Sequence, residues 1–263
     1  MKPPRVLIIA GSDSGGGAGI QADIKTVTLL GGFAMTAVTA ITAQNTLGVE
    51  AVMPVPAEMV LRQIDAVASD IGVDVVKIGM IGSAATAEAV AERLAAMAGV
   101  PIVFDPVMIA TSGSLLADAA TIAAFVKIIA AATLVTPNLP ELAALTGRTV
   151  DDVAQMEEAA VALARDREIA VLAKGGHLGD PILTDLLVTP PGEVIRWQST
   201  RIETRHNHGT GCTLASAVAV GLGRGLRLPD AIEVAREFVR NVMLAAPGFG
   251  AGHGPMGHGL GEP

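Results

Sequence analysis

Around residue 210 the chain reads Asn207-His208-Gly209-Thr210-Gly211-Cys212-Thr213-Leu214 and then enters an Ala-rich stretch. Two glycines and threonine hydroxyls at a helix start leave backbone N–H groups without intrahelical acceptors, aimed at one point at the positive end of the helix dipole. Such a turn holds an anion. If the anion is a phosphoryl group in transit, the same donors meet charge as it develops, which makes Gly209, Thr210 and Gly211 candidate catalytic groups. Cys212 lies inside that first turn, where a helix N-terminus lowers a thiol pKa and favours a role as base. A free cysteine is as readily a small buried hydrophobe, and both readings stand at this point.

Other candidate groups sit where apolar runs end. Asp105 directly follows Pro101 to Phe104, and Glu141 closes Asn138-Leu-Pro-Glu after a run ending at Val135. Carboxylates at two neighbouring strand ends can share a hydrated Mg2+ with substrate phosphates. Their competing roles are a helix cap for Asp105 and a solvated first-turn charge for Glu141. Lys174, at the end of Ile169 to Ala173 and before two glycines, fits either a phosphate contact or a surface lysine. The segment from Gly11 to Gly19 carries five glycines in nine residues. It lacks the Gly-Lys-Ser/Thr ending of a P-loop, and Ile20 stands where a dinucleotide fingerprint begun at Gly15 needs its last glycine. What remains is a strand-to-helix turn that lets backbone approach a ligand closely. The five histidines show no zinc spacing, and none is fixed beside Cys212 by sequence, so a Cys-His hydrolase is a weak alternative.

The elements that must position these groups alternate. Short β-rich runs near Arg5 to Ala10, Thr36 to Thr42, Val73 to Ile78, Pro101 to Phe104, Thr133 to Val135 and Ile169 to Ala173 are separated mostly by Ala-rich amphipathic stretches. That is the pattern of a mostly parallel sheet covered on both faces. In the stretch Ala84 to Ala98, Ala87, Val90, Ala91, Leu94 and Ala98 share one helical face. Ile182 to Val188 and Val194 to Gln198 flank Thr189-Pro190-Pro191-Gly192-Glu193 and predict a hairpin, hence an antiparallel edge. Helices are expected over Thr210 to Gly223 and Pro229 to Ala246. Ligands of such sheets bind beyond the carboxyl ends of the strands, where the candidate groups, including Gln44 after the second strand, repeatedly fall.

Composition narrows the function classes. The 263 residues, with no internal linker or repeat, suit one α/β domain over 1–263. Half the residues are apolar, yet there are five Phe, one Trp and no Tyr, and the formal net charge is −8, which argues against a nucleic-acid partner. A single cysteine and the lack of a leader pattern point to the cytoplasm, and the apolar runs break before the ~18 residues of a membrane span.

Taken together, several motifs resemble the hydroxymethylpyrimidine/phosphomethylpyrimidine kinases of thiamine biosynthesis, within the ribokinase-like fold. They are Ala10-Gly-Ser-Asp-Ser-Gly-Gly-Gly-Ala-Gly-Ile-Gln-Ala-Asp23, Ala43-Gln-Asn-Thr-Leu-Gly48, Lys77-Ile-Gly-Met80, Asp105-Pro-Val-Met108, Thr136-Pro-Asn-Leu-Pro-Glu141, Lys174-Gly-Gly-His177 and His208-Gly-Thr-Gly-Cys-Thr213. The resemblance implies a ribokinase-like three-layer α/β sandwich. It also implies ATP- and Mg2+-dependent phosphorylation of 4-amino-5-hydroxymethyl-2-methylpyrimidine, then of its monophosphate, by a homodimer. By residue match, Gln44 would hydrogen-bond the pyrimidine, with Gly11, Ala18, Asp23, Met80 and Val107 lining its pocket. Asp105 and Glu141 would organise Mg2+; Lys174 and Asn138, with Asp105, Gly209 and Gly211, would contact ATP. Gly209 to Cys212 match the anion hole, and Cys212 matches the base that takes the hydroxymethyl proton. A pyridoxal-type kinase and a non-catalytic pyrimidine-binding homologue are the rival readings.

Overall fold

The computed structural model describes residues 2–110, 113 and 115–259. Thr111 and Ser112 of the Asp105 to Gly113 turn lie outside the described residues. The strands are β1 (Arg5–Asp13), β2 (Phe33–Gln44), β3 (Val49–Pro54), β4 (Val75–Ile78), β5 (Ile102–Phe104), β6 (Leu134–Val135), β7 (Ala170–Lys174), β8 (Ile182–Val188) and β9 (Val194–Thr200). The helices are α1 (Gly19–Leu29), α2 (Ala57–Asp70), α3 (Ala84–Ala95), α4 (Ala119–Ile129), α5 (Leu139–Thr146), α6 (Val153–Arg167), α7 (Thr210–Gly223) and α8 (Leu228–Leu244).

These strands form one sheet in the order β3-β2-β1-β4-β5-β6-β7-β8-β9. Pairings from β2 through β7 are parallel, and the β8–β9 hairpin continues the sheet antiparallel. β3 adds a further antiparallel strand at the opposite edge, with Ala43 opposite Ala51 and Gln44 opposite Val49. Sequence reading ran past it: β3 is largely exposed, so it carries no burial period. β2 consequently extends two residues further, and Gln44 ends a strand rather than following one.

Period-two alternation along β1 sends Leu7 and Ile9 to one face and Val6, Ile8 and Ala10 to the other. The first face packs against α2 to α6, and the second against α1, α7 and α8, giving three layers. Central strands covered on both faces must be apolar throughout, which is why β4 and β5 are buried at every residue. α7 is buried continuously from Thr213 to Gly221, and its small side chains allow close approach. A Cβ at Gly221 would lie 2.7 Å from that of Ala231 in α8. Packed over β1, β4 and β5, α7 presents its N-terminus at the sheet rim. Among the described residues no helix is long and apolar enough to cross a membrane.

One charged pair interrupts the core. Lys77 of β4 and Asp23 of α1 are both fully buried; the Lys77 Nζ donates to both Asp23 oxygens at 2.8 Å, and the Ser216 hydroxyl donates to Oδ1 at 2.7 Å. A buried ion pair stands only while both charges remain. Asp23→Ala is expected to lower the unfolding free energy by about 3–5 kcal/mol, and Asp23→Leu with Lys77→Met to recover most of that loss. Urea unfolding of the variants checks both, and a change under ~1 kcal/mol for Asp23→Ala contradicts it.

Candidate active site

At the carboxyl ends of the parallel strands lies a cleft of about 740 Å3. Every site residue singled out from the sequence lines it except Asp23. Asp23 is fully enclosed with Lys77, so it is not on the pocket wall where the family match had put it. A carboxylate paired with Lys77 and Ser216 and without access to the cleft does not reach a ligand there.

One half of the cleft is built on Asp105 and Lys174. Lys174 Nζ lies 2.7 Å from Asp105 Oδ1, which also accepts the Thr136 hydroxyl at 2.9 Å. Burial pulls the Lys174 pKa down, but the charges of Asp105 and Glu141 outweigh it and the net direction is up. Lys174 therefore stays cationic. Two residues that sequence reading missed fix its approach: Asp185 accepts the Gly175 N–H at 3.1 Å and pairs with Arg236 at 2.8 Å. Gly175 itself passes so near β8 that a Cβ would stand 2.0 Å from the Thr184 carbonyl oxygen.

Glu141 is not the solvated charge that its place in a first turn allowed. It is 5% exposed, and its carboxylate accepts the Asn138 N–H at 2.8 Å while Asn138 Oδ1 accepts the Glu141 N–H at 2.9 Å. This capping box starts α5 and ties both residues to the rim. Burial pushes the Glu141 carboxyl up to about 7; Asp105 adds to this, and Lys174 with the Asn138 and Met108 amides opposes it. Asp105, likewise, is no helix cap, since its partners are Thr136 and Lys174.

The Gly209 turn closes onto this pair. Gly209 has φ +85°, and a Cβ there would lie 2.0 Å from the Gly17 carbonyl oxygen, so both conformation and space require glycine. At Gly211 a Cβ would come within 3.2 Å of both Asp105 Oδ2 and Lys174 Nζ. The turn thus meets the ion pair across the width of one missing side chain. The Asn207 carbonyl accepts the Thr210 N–H at 3.3 Å; Gly211 and Cys212, whose N–H groups have no intrahelical acceptor by position, form the cleft wall.

Cys212 departs from expectation. Instead of a lowered pKa, burial pushes its thiol up to about 11; Lys77 and a Gly19 amide pull it down, and Asp23 and Asp105 push it further up. Desolvation and two carboxylates together outweigh Lys77 and the Gly19 amide.

The other half of the cleft also differs from its sequence reading. Asp13 accepts the N–H groups of Gly15, Gly17 and Ala18 at 2.8, 3.1 and 2.9 Å, so the glycine-rich turn spends these amides on its own carboxylate. Asp13 Oδ2 also lies 2.9 Å from His208 Nε2, which is 3.1 Å from the Gln44 amide. Sequence reading missed this cluster, because its members are up to 195 residues apart. The glycine-rich tail secures it: the His208 N–H donates to the Gly254 carbonyl, and the His253 N–H to that of Thr46. Thr213 and His258 meet at 2.9 Å.

Three comparisons bear on this arrangement. The phosphomethylpyrimidine kinase family model matches residues 13–257. Hydroxymethylpyrimidine/phosphomethylpyrimidine kinase of Streptomyces coelicolor is 47% identical over 265 residues, covering 99% of this chain and 97% of that protein. The thiamine biosynthesis bifunctional protein ThiED of Geobacter sulfurreducens is 47% identical over 96% of this chain and 52% of its own length. Among solved structures, an ADP complex of Bacillus subtilis pyridoxal kinase superposes with a TM-score of 0.90 at 31% identity, covering 98% of each chain.

A thiol held near 11 is almost wholly protonated at neutral pH. Alkylation of Cys212, the one cysteine, by iodoacetamide is therefore expected to keep accelerating from pH 8 to beyond pH 10 in the ligand-free protein. Mass spectrometry of timed samples checks this, and a rate that levels off by pH 8 contradicts it.

Proposed function

The chain belongs to the phosphomethylpyrimidine kinase family, and from that premise we propose how its cleft phosphorylates the hydroxymethylpyrimidine and then its monophosphate, a step of thiamine biosynthesis. The observation that carries the reading is the meeting of the Gly209–Cys212 turn with Lys174 and Asp105 across Gly211. Phosphoryl transfer depends mainly on positioning and on stabilising charge on the transferred group. The N–H groups of Gly211 and Cys212, the Thr210 turn and the Lys174 ammonium provide that from two sides of one point. Gln44, with Gly11, Ala18, Met80 and Val107 around it, holds the pyrimidine; its amide can donate and accept against an aminopyrimidine edge. Asn138, Asp105 and Lys174 face the nucleotide.

Mg2+ fits the donor set. Asp105 and Glu141 bring two carboxylates together, and Glu141 is pushed up partly by Asp105, a repulsion that a divalent cation relieves. Asp105 and Glu141 would hold the ion, in part through water, and when bound it would neutralise charge on the ATP phosphates. No cluster of three or more metal-ligating side chains occurs among the described residues, which suits an ion that takes few protein ligands.

Cys212 borders the cleft beside this point, and as proton acceptor for the hydroxymethyl group it acts through a small thiolate share of high basicity. A base must be deprotonated to act, so turnover rises with pH as the thiol ionises. The proposal extends to the whole chain acting as one kinase domain, in the cytoplasm and as a homodimer.

Purified protein with ATP and Mg2+ is expected to convert the hydroxymethylpyrimidine to its mono- and diphosphate; transfer to pyridoxal with none to the pyrimidine overturns the substrate assignment. Cys212→Ser is expected to lower kcat by about 10²–10⁴-fold with little change in pyrimidine KM, and to flatten the rise of kcat with pH above 8. An unchanged kcat returns Cys212 to a packing role.

A further inference from the structure

Gln44 can read a pyrimidine only if the orientation of its amide is fixed, and an amide's oxygen and nitrogen are alike in outline. The neighbouring hydrogen bonds fix it. Asp13 receives three backbone N–H groups and is held below the usual carboxylate range: burial pushes it up, but the His208 hydrogen bond and the Ala18 and Gly15 amides prevail. An acceptor of this kind, 2.9 Å from His208 Nε2, requires a proton on that nitrogen. His208 Nε2–H then has no lone pair for Gln44, and the amide atom 3.1 Å away must be an acceptor. At the other end of the amide stands Thr42, whose single hydroxyl proton has its nearer acceptor in the Ser12 carbonyl, 2.9 Å away against 3.2 Å to the amide, and is assigned there. The amide atom 3.2 Å from Thr42 Oγ1 must therefore be a donor.

We infer that the Gln44 carbonyl oxygen faces His208 and its NH2 faces Thr42, and that His208, held by Asp13, is the positioning residue that sets pyrimidine specificity. The structure sets Gln44 Nε2 3.1 Å from His208 Nε2 and Oε1 3.2 Å from Thr42 Oγ1; the inferred orientation exchanges these two atoms, because nitrogen toward His208 sets donor against donor there and leaves one Thr42 hydroxyl proton to serve both Ser12 and Gln44. One amide N–H and one oxygen lone pair remain for the ligand. The donor lies on the Thr42 side and the acceptor on the His208 side. A 4-aminopyrimidine supplies the complement, a ring nitrogen acceptor beside an exocyclic amine donor, docked with its amine toward His208. The 4-oxo analogue carries the reverse pair, ring N–H and carbonyl, and meets a locked amide in the wrong sense.

The same histidine precedes Gly209, and Gly17 lies so close that a Cβ there would stand 2.5 Å from His208 Cδ2. The group that orients Gln44 is thus continuous in the chain with the phosphate-holding turn. Its backbone is anchored by the Gly254 carbonyl, so tail and glycine-rich loop both hold the specificity switch in register.

This inference rests on the pyrimidine-kinase reading for its substrate, and its test separates the two. kcat/KM is measured for the 4-amino substrate and its 4-oxo analogue with the wild-type protein and with His208→Phe, which keeps a planar ring and removes the N–H. The wild type is expected to prefer the amine by about 10²-fold or more, because the mismatched edge leaves buried polar groups unpaired. In His208→Phe that preference is expected to fall by about tenfold or more, with pyrimidine KM rising more than kcat falls. A parallel loss on both substrates with the ratio unchanged, or no change in either, overturns the positioning role. Neutron diffraction of the wild-type protein needs neither variant nor substrate: Gln44 deuterons toward Thr42 support the inference, and deuterons toward His208 overturn it. Wild-type protein that phosphorylates neither compound overturns the functional reading and the substrate half of this inference, while the neutron map still decides the amide.

Discussion

A largely buried cation must be balanced before any substrate arrives, and here the balance is Asp105 against Lys174 at 2.7 Å. The pair sits at the ends of β5 and β7 and is 2% and 14% exposed in its side chains. Its position dictates much around it. Gly211 has to lack a side chain because both members lie within 3.2 Å of where a Cβ would be, and Gly175 has to lack one so that the chain can leave β7 against β8. Asp185 inside β8 with Arg236 of α8, and Thr136 just after β6, complete the support. In the proposed reaction the phosphoryl group enters between this pair and the α7 N-terminus, where low dielectric strengthens each contact.

Burial governs the charge states of the cleft floor, and neighbouring carboxylates add to it. Glu141 is driven up to about 7, the Cys212 thiol to about 11, and Lys174 is held as a cation. Below them Asp23 and Lys77 cancel each other inside the core. A divalent cation held there would offset the two carboxylates, which is the physical reason why a Mg2+-dependent kinase would keep them so near one phosphate-binding turn. The proposed pyrimidine side is built differently: Asp13 there is held by hydrogen bonds from three amides and by His208, and the result is directional control.

The sheet and its helices were legible because alternating apolar runs carry their own period, and the bounds of α7 and β8 follow directly from Gly209 and from the turn at Pro190 to Gly192. β3 was not, since an exposed edge strand has no burial pattern to read. Strand ends named the rim and hence Asp105, Lys174 and the Gly209 turn, which the cleft brings together. Local position could not supply environment. The helix start implied an acidic thiol at Cys212, but burial, with Asp23 and Asp105 from distant segments adding to it, pushes the thiol up. Asp23 sits in a loop-helix motif that matches pocket residues, yet the turn of α1 directs it to Lys77. His208 and Asp13 acquire their roles only from each other, and Asp185 and Arg236 likewise.

The central claim is that the phosphate in transit sits between the Gly209–Cys212 turn and Lys174, with the hydroxymethyl oxygen at Cys212. A crystal structure with the hydroxymethylpyrimidine and a non-hydrolysable ATP analogue tests this most directly. The account predicts the terminal phosphate within hydrogen-bond reach of the Gly211 and Cys212 N–H groups and Lys174 Nζ, and the hydroxymethyl oxygen beside the Cys212 sulfur. A terminal phosphate seated instead on the Gly15 to Gly17 turn, with Lys174 still closed on Asp105 and no ligand contact, would contradict it.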